Sequence, residues 1–242
     1  MKKLKDTSLL RAQETQEIIQ KNKRDNRSLD LYDDTFKEAL PKGIEHFFKS
    51  DRKRKKWLDL GCGNGCALIE LSVKKGLSHV IITGVDIRNN IEIATKKGFV
   101  PNLQYSQQNL DHNRDLLLPK NVDLITALMI DRYLEDPLPM IISAINSLSK
   151  GGTMLFTESA FHYVRDKKYG VQDNLSLHLK LELKKTGGDL QIVDAGNKDF
   201  HLGTYNSKVW IIKKGSKDIN FDYELKDSMS LFGGGYSQEY LV

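Results

Sequence analysis

The spacing of apolar positions changes once along this chain. Over residues 1–50 apolar side chains recur three and four apart, with no strand-like run. Leu10, Ile18 and Ile19 among polar neighbours predict a helix over Thr7–Lys21, and Leu31, Tyr32, Phe36 and Leu40 predict another over Asp30–Leu40. Pro41 breaks that pattern, and Gly43 to Lys49 leaves room for a short helical turn. From Lys56 onward, short apolar runs alternate with helix-length segments. Trp57–Leu60 reads as a strand, Gly65–Lys75 as a helix stopped at Gly76, and Val80–Val85 as a second strand. A helix over Asn89–Lys97 stops at Gly98, and Leu103, Tyr105 and Gln107 mark a weaker third strand. Val122–Leu128 is a fourth. Asp136 then caps a helix with Pro137 in its first position, running to about Leu148, and Thr153–Thr157 is a fifth strand.

Strands separated by helices pair in parallel, because a helical crossover returns the chain in its starting direction. Near-continuous apolar strands fit a sheet covered on both faces. After Glu158 the pattern loosens: Leu175–Lys185 fits strand or helix, while Leu190–Asp194 and Val209–Lys213 read as strands. Residues 197–207 lack a helical period, so these two strands are expected to form an antiparallel hairpin at a sheet edge. The expected organisation is a helical N-terminal extension over 1–50, a candidate cap, followed by one α/β domain over 51–242. Within the extension, Tyr32 and Phe36 stand one turn apart and either face a ligand or pack the extension onto the domain; packing is the commoner use of such a pair.

Candidate chemistry enters with WLDLGCGNGCALIEL, Trp57 to Leu71, where Gly61, Gly63 and Gly65 separate two buried-looking runs. They fall where the first strand turns into its helix, a place that needs positive φ and close approach of backbone to a ligand. Asp86 closes the second strand in GVDI, at the same carboxyl edge, where a carboxylate can accept both hydroxyls of a ribose. Asn109 and Leu110 follow the third strand and Ala127 ends the fourth, so further loops open on that edge. A plain N-cap is the bland alternative for Asp86.

These residues resemble the class I S-adenosylmethionine-dependent methyltransferases. LDLGCGNG is similar to their first motif and GVDI to their second; Asn109-Leu110 and Ala127-Leu128 stand in the places of the third and fourth, and LSKGGTMLFTES resembles the turn into the fifth strand. The resemblance covers Trp57 to Ser159. It implies a Rossmann-like three-layer αβα sandwich with a mostly parallel seven-stranded sheet and an antiparallel edge strand. It also implies that Asp59, Gly61, Cys62, Gly63 and Gly65 line the methionine half of S-adenosyl-L-methionine, that Asp86 binds the ribose and that Ile87 packs on adenine. Asn109, standing where an acid is usual, would accept from the adenine amine, Leu110 would offer its backbone N–H, and Ala127 would close the site near the sulfonium.

Rival readings weaken on spacing. A dinucleotide dehydrogenase uses G-x-G-x-x-G, whereas here the pattern is G-x-G-x-G with Cys66 in the final fingerprint position. A non-catalytic S-adenosylmethionine-binding module on the same fold is the other class to carry. Cys62 and Cys66 are the only cysteines, too few for a zinc site, so no metal is expected. Candidate catalytic groups follow the fourth and fifth strands. Asp131 leads Arg132 and Tyr133, with ion pairing or capping as its alternative role, and His162, beside Tyr163, is either a base or a solvated loop residue.

The net charge of +5 is concentrated in MKKLK, in KNKRDNR (Lys21 to Arg27) and in KSDRKRKK (Lys49 to Lys56). Such runs are a footprint for nucleic acid or another acidic partner, and equally for solvated turns. Neither an N/D-P-P-Y/F/W tetrapeptide nor a Pro-Cys dipeptide is present, which argues against two nucleic-acid acceptor chemistries. A small-molecule methyl acceptor is favoured, with RNA or protein as the alternative. No apolar run reaches the roughly 18 residues of a membrane span, and the N-terminus lacks an apolar signal stretch. A cytoplasmic chain is expected. The glycines Gly233 to Gly235 suggest a loop near the C-terminus.

Overall fold

The computed structural model describes residues 28–50, 53–87, 102–110, 116–131, 134, 137–159, 172–200 and 203–219. The helices expected over Thr7–Lys21 and Asn89–Lys97 lie outside these residues, as do Arg132, Tyr133, Asp136, His162, Tyr163, Gly233 to Gly235 and the two more N-terminal basic runs.

In chain order the elements are α1 (Leu29–Thr35), α2 (Gly43–Lys49), β1 (Lys56–Leu60), α3 (Cys66–Ser72), β2 (Ile81–Asp86), β3 (Leu103–Gln107) and β4 (Val122–Ala127). They continue with α4 (Leu138–Ser147), β5 (Leu148–Ser159), α5 (Gln172–Lys185), β6 (Asp189–Phe200) and β7 (Gly203–Lys213). The strands form one seven-stranded sheet in the order β3-β2-β1-β4-β5-β7-β6. β3, β2, β1, β4 and β5 pair in parallel, and β7 pairs antiparallel with both β5 and β6. The hairpin read from the sequence is present, with β7 one position in from the edge. This is the Rossmann-like sandwich that the resemblance implied.

Each interior strand sends alternate side chains to opposite faces. Trp57, Ile82, Leu124 and Leu155 meet α1, α2 and α3 on one face, while Leu58, Leu60, Ile125 and Met154 meet α4 and α5 on the other. Tyr32 and Phe36 belong to the first face: their ring centroids are 6.0 Å apart in an edge-to-face arrangement, and the Tyr32 and Trp57 centroids are 6.1 Å apart. They pack residues 29–49 against the sheet.

Several boundaries differ from the pattern reading: α1 ends at Thr35 and not Leu40, β5 begins at Leu148 and not Thr153, β6 runs on to Phe200, and one segment left open between strand and helix is resolved. α3 ends at Ser72, with Val73 as its cap, because the chain must turn through Gly76 (φ +86°) to bury Leu77 and deliver Val80 to the start of β2. The ambiguous segment after β5 is helical. Its leucines recur at every second position, but Leu179 and Leu183 are buried four apart while Leu181 between them is exposed, which is the helical period.

α4 stops where Lys214 takes its last carbonyls. The ammonium lies 2.9 Å from the oxygens of Asn146 and Leu148 and 2.6 Å from Asp218. Asn146 in turn brackets Ile219, accepting its N–H at 2.9 Å and donating to its carbonyl at 3.0 Å. Lys214→Met leaves those carbonyls unsatisfied, so unfolding in urea should show a loss of about 2 kcal/mol with the m-value unchanged.

On α1, Asp33 accepts the Ile44 N–H at 2.8 Å and fits only because Gly43 has no Cβ. Burial raises its pKa above the ordinary value, the Ile44 bond opposes this, and the charges of Asp30 and Glu45 add to it. A raised carboxyl favours the folded chain below the ordinary carboxylate range and loses that contribution as pH rises through the raised value. Asp33→Asn keeps an acceptor for Ile44. It should therefore melt at or above the parent's temperature at neutral pH, and that advantage should vanish in acid, where Asp33 is protonated in both states.

Candidate functional site

At the carboxyl edge of β1 the chain turns through three glycines in the left-handed region: Gly61 (φ +69°), Gly63 (φ +57°) and Gly65 (φ +69°). A side chain at any of them would be strained. Three hydrogen bonds tie this turn to the end of β2. The N–H groups of Gly61 and Cys62 donate to the Val85 carbonyl at 2.7 and 3.2 Å, and the Gly63 N–H donates to Asp86 Oδ2 at 2.8 Å. Glycine turn and carboxylate therefore share one rim. Cys62 is only 1% exposed, its thiol set against Gly84, where a Cβ would stand 2.8 Å from the sulfur. Only its backbone belongs to the turn.

Asp59 lies beneath the turn, fully buried in a central strand. Tyr32 donates its phenol to Oδ2 at 2.7 Å and Thr126 its hydroxyl to Oδ1 at 2.6 Å, while Thr126 accepts the Trp57 indole N–H at 2.9 Å. A buried carboxylate persists only with such partners. They come from α1 and β4, so Asp59 fastens the N-terminal helix and a neighbouring strand to the base of the turn. Glu70 on α3 reinforces the attachment by accepting the Leu29 N–H at 2.7 Å.

The remaining loops converge on the same edge. Gln108 N–H bonds the Asp86 carbonyl at 3.0 Å and the Gln107 amide reaches the Ile87 carbonyl at 3.0 Å, which sets the exposed Asn109 and the buried Leu110 beside Asp86 and Ile87. Ile87 itself is 58% exposed, an apolar surface next to a carboxylate. Tyr105 stands behind Asp86, its hydroxyl 3.4 Å from the Asp86 carbonyl. Burial, and after it the charges of Cys62 and Asp86, push this phenol well above its ordinary pKa, so it remains a neutral donor.

Past the buried Ala127, the chain crosses the glycine turn. Ile130 Cδ1 would lie 2.7 Å from a Cβ on Gly61, so the two loops are in contact. Thr157 on β5 holds this crossing by accepting the Met129 N–H at 2.6 Å, with Met129 at φ +55°. Asp131 is buried at the end of the crossing, and Glu158 is buried near the end of β5, where it accepts the Trp210 indole N–H at 2.8 Å. No cluster able to hold a metal ion occurs among the described residues.

A family model described as a methyltransferase domain matches residues 32–183. The chain belongs to the class I S-adenosylmethionine-dependent methyltransferase family. The match begins at Tyr32, inside the N-terminal extension. Among solved structures, this methyltransferase is similar to a chain from the complex between the Haloferax volcanii Trm112 methyltransferase activator and a methyltransferase, at 16% identity and a TM-score of 0.53 over 81% of this chain and 95% of that one. It is also similar to the StiE O-MT, at 14% identity and a TM-score of 0.50 over 84% of this chain and 77% of that one. Both likenesses show the fold. No curated protein sequence matches the methyltransferase.

The structure thus places Asp86, Ile87, Asn109 and Leu110 around one end of the glycine turn, and Asp59 and Ala127 beneath it. Of the candidate catalytic groups, Asp131 is at this edge and His162 lies outside the described residues. Thr126 and Ile130, unassigned from the sequence, belong to the same constellation, and Tyr32, read there as packing the extension or facing a ligand, joins it through Asp59. One signal pointed to the two hydroxyls: Asp59 is a carboxylate at an interior position of an apolar strand, and such a group requires buried donors from elsewhere.

Proposed function

We propose that this enzyme transfers the methyl group of S-adenosyl-L-methionine to a small neutral or cationic acceptor. The observation that carries the reading is the 2.8 Å bond from the Gly63 amide to Asp86, which sets an acid beside a left-handed glycine turn at the carboxyl edge of a parallel sheet. The residues fit the donor. Ile130 fills the space beside Gly61, so the methionine half lies along the accessible part of the turn at Gly63 and Asn64, and Asp86, already held from one side, accepts the ribose hydroxyls. Ile87 offers its exposed face to adenine, and the Leu110 N–H and Asn109 amide meet the ring edge. Ala127 bounds the sulfonium end, and Asp59 acts through Tyr32 and Thr126 to hold the turn in place.

When bound, the donor supplies an electrophilic methyl on a positively charged sulfur. The chain's part is to align the acceptor in line with it and to exclude water. Ile130, pressed against the turn at Gly61, supplies that exclusion. Asp131, at the acceptor side of the crossing, is the group assigned to receive a proton from acceptors that must lose one.

The acceptor class follows from charge. Among the described residues, Asp86, Asp131 and Glu158 gather at this edge, and the cation that the strand register brings nearest is Lys208, opposite Glu158. Such an edge suits the cationic donor and repels polyphosphate, which favours a small molecule over RNA as acceptor. No helix among the described residues is long and apolar enough to cross a membrane, and the free thiols of Cys62 and Cys66 accord with a cytoplasmic setting. Isothermal titration with S-adenosylmethionine, with nicotinamide dinucleotide as control, tests the donor. Absence of donor binding at millimolar excess would refute the reading. Binding without methyl transfer to any amine, hydroxyl or thiol in an acceptor panel would leave a non-catalytic module instead.

A further inference from the structure

The opposite edge of the sheet, where the parallel strands begin, carries the reverse charge. Arg54 precedes β1, Lys120 precedes β4, Lys150 lies at the start of β5 and Lys213 ends the antiparallel β7; all are exposed. Hydrogen bonds bind these segments into one rim. Lys56 reaches the Lys120 carbonyl at 2.6 Å, and the backbones of Lys214, Gly151 and Gly152 exchange bonds at 3.0 Å. Following the strand order β1-β4-β5-β7, Arg54, Lys120 and Lys150 stand before the regularly paired stretches of three neighbouring strands, and Lys213 lies level with Thr153, three residues further along β5. Lys184, in the last turn of α5, and Lys217, beyond β7, extend the group.

None of these six pairs with a carboxylate among the described residues. Of the described acids of the rim, three are engaged elsewhere. Asp123 accepts the Lys56 N–H at 2.8 Å and faces the Ser149 hydroxyl at 3.3 Å, Asp218 binds Lys214, and Glu182 binds Lys185. Asp189 is half-buried opposite Lys213. Of the exposed large apolar side chains among the described residues, Leu181 stands one helical turn before Lys184, and Val73, Ile87, Leu117 and Ile192 belong to other segments.

We propose that this basic rim is a binding surface for the phosphate backbone of single-stranded nucleic acid, separate from the methyl-transfer site. A group of exposed cations on adjacent strand edges, in no ion pair among the described residues, complements a polyanion, whose affinity is set by the charges it neutralises. A protein partner would be expected to bury a cluster of apolar or aromatic anchors, and a membrane surface to engage inserting apolar side chains; among the described residues the group offers only Leu181, beside Lys184. The rim is removed from the glycine turn by the length of β1, about 17 Å at the usual rise per residue. Nucleic acid held there does not place its bases at the methyl donor, so the surface localises the enzyme and leaves its acceptor unchanged.

The test is fluorescence anisotropy of the full chain with a labelled single-stranded RNA of about 20 nucleotides, titrated with salt between about 50 and 200 mM. The parent should bind with steep salt dependence. In Lys120→Glu/Lys150→Glu/Lys213→Glu, affinity at the lowest salt should fall about tenfold or more, and the log–log salt slope should shrink by about 2, three contacts at roughly 0.7 each. Affinity for S-adenosylmethionine should not change, so failure here and failure of the methyl-transfer reading are separable. The triple Lys→Gln variant serves if charge reversal prevents folding. RNA binding that the variant leaves intact would assign it to the basic runs at 1–5 and 21–27 and overturn the proposal. So would no RNA binding at low salt, or capture by phosphatidylserine vesicles in place of RNA.

Discussion

Asp86→Ala should weaken S-adenosylmethionine binding about 100-fold in isothermal titration, the largest single effect expected at the site. The carboxylate has one oxygen on the Gly63 amide and stands where the ribose hydroxyls arrive. A hydrogen bond to a charged acceptor contributes about 1.5–3 kcal/mol, so losing the pair removes about 3 kcal/mol, or two decades of affinity. Truncation also leaves the Gly63 N–H without its acceptor and loosens the turn. Asp86→Asn separates the two contributions. Its amide oxygen can still take the Gly63 bond, so it should keep the turn and lose about tenfold in affinity through charge alone. If Asp86→Ala binds the donor like the parent, the ribose assignment is wrong.

The second large effect concerns Asp59 and is read in stability. Asp59→Ala leaves the hydroxyls of Tyr32 and Thr126 buried without the carboxylate they serve, and should cost about 3 kcal/mol in urea unfolding. Tyr32→Phe, which removes one donor from a buried anion, should cost about 1–3 kcal/mol. The informative quantity is the cycle. On the Asp59→Ala background Tyr32→Phe should cost far less, giving a coupling of at least about 1 kcal/mol. Additive losses would mean that α1 is held by the contact of Tyr32 with Trp57 and by the Leu29–Glu70 bond, without a contribution from the Tyr32–Asp59 pair. Donor affinity of Tyr32→Phe, measured alongside, reports whether the N-terminal helix steadies the turn as well as the core.

The parallel core was legible because its signals are local. β1, β2 and β4 are buried on both faces and read as apolar runs, and the glycines mark a backbone conformation that other residues adopt only under strain. Legibility fell where one pattern served two periods. The leucines before Lys185 alternate like a strand, and only the buried surface they meet, Leu190, Trp210 and Ile212, selects the helix. α3 was over-extended because helix-forming Lys74 and Lys75 conceal the need to bury Leu77.

By itself the sequence determined the order of strands and helices, the glycine turn and the acid that follows β2, since each depends on periodicity or on the steric limits of a few adjacent residues. The tertiary structure alone decided that Tyr32 and Thr126 serve Asp59, that Ile130 covers Gly61, and that cations from four strands form one rim while carboxylates gather at the other. Periodicity tells which way a side chain faces. Its partner, tens of residues distant along the chain, is chosen by how the layers pack.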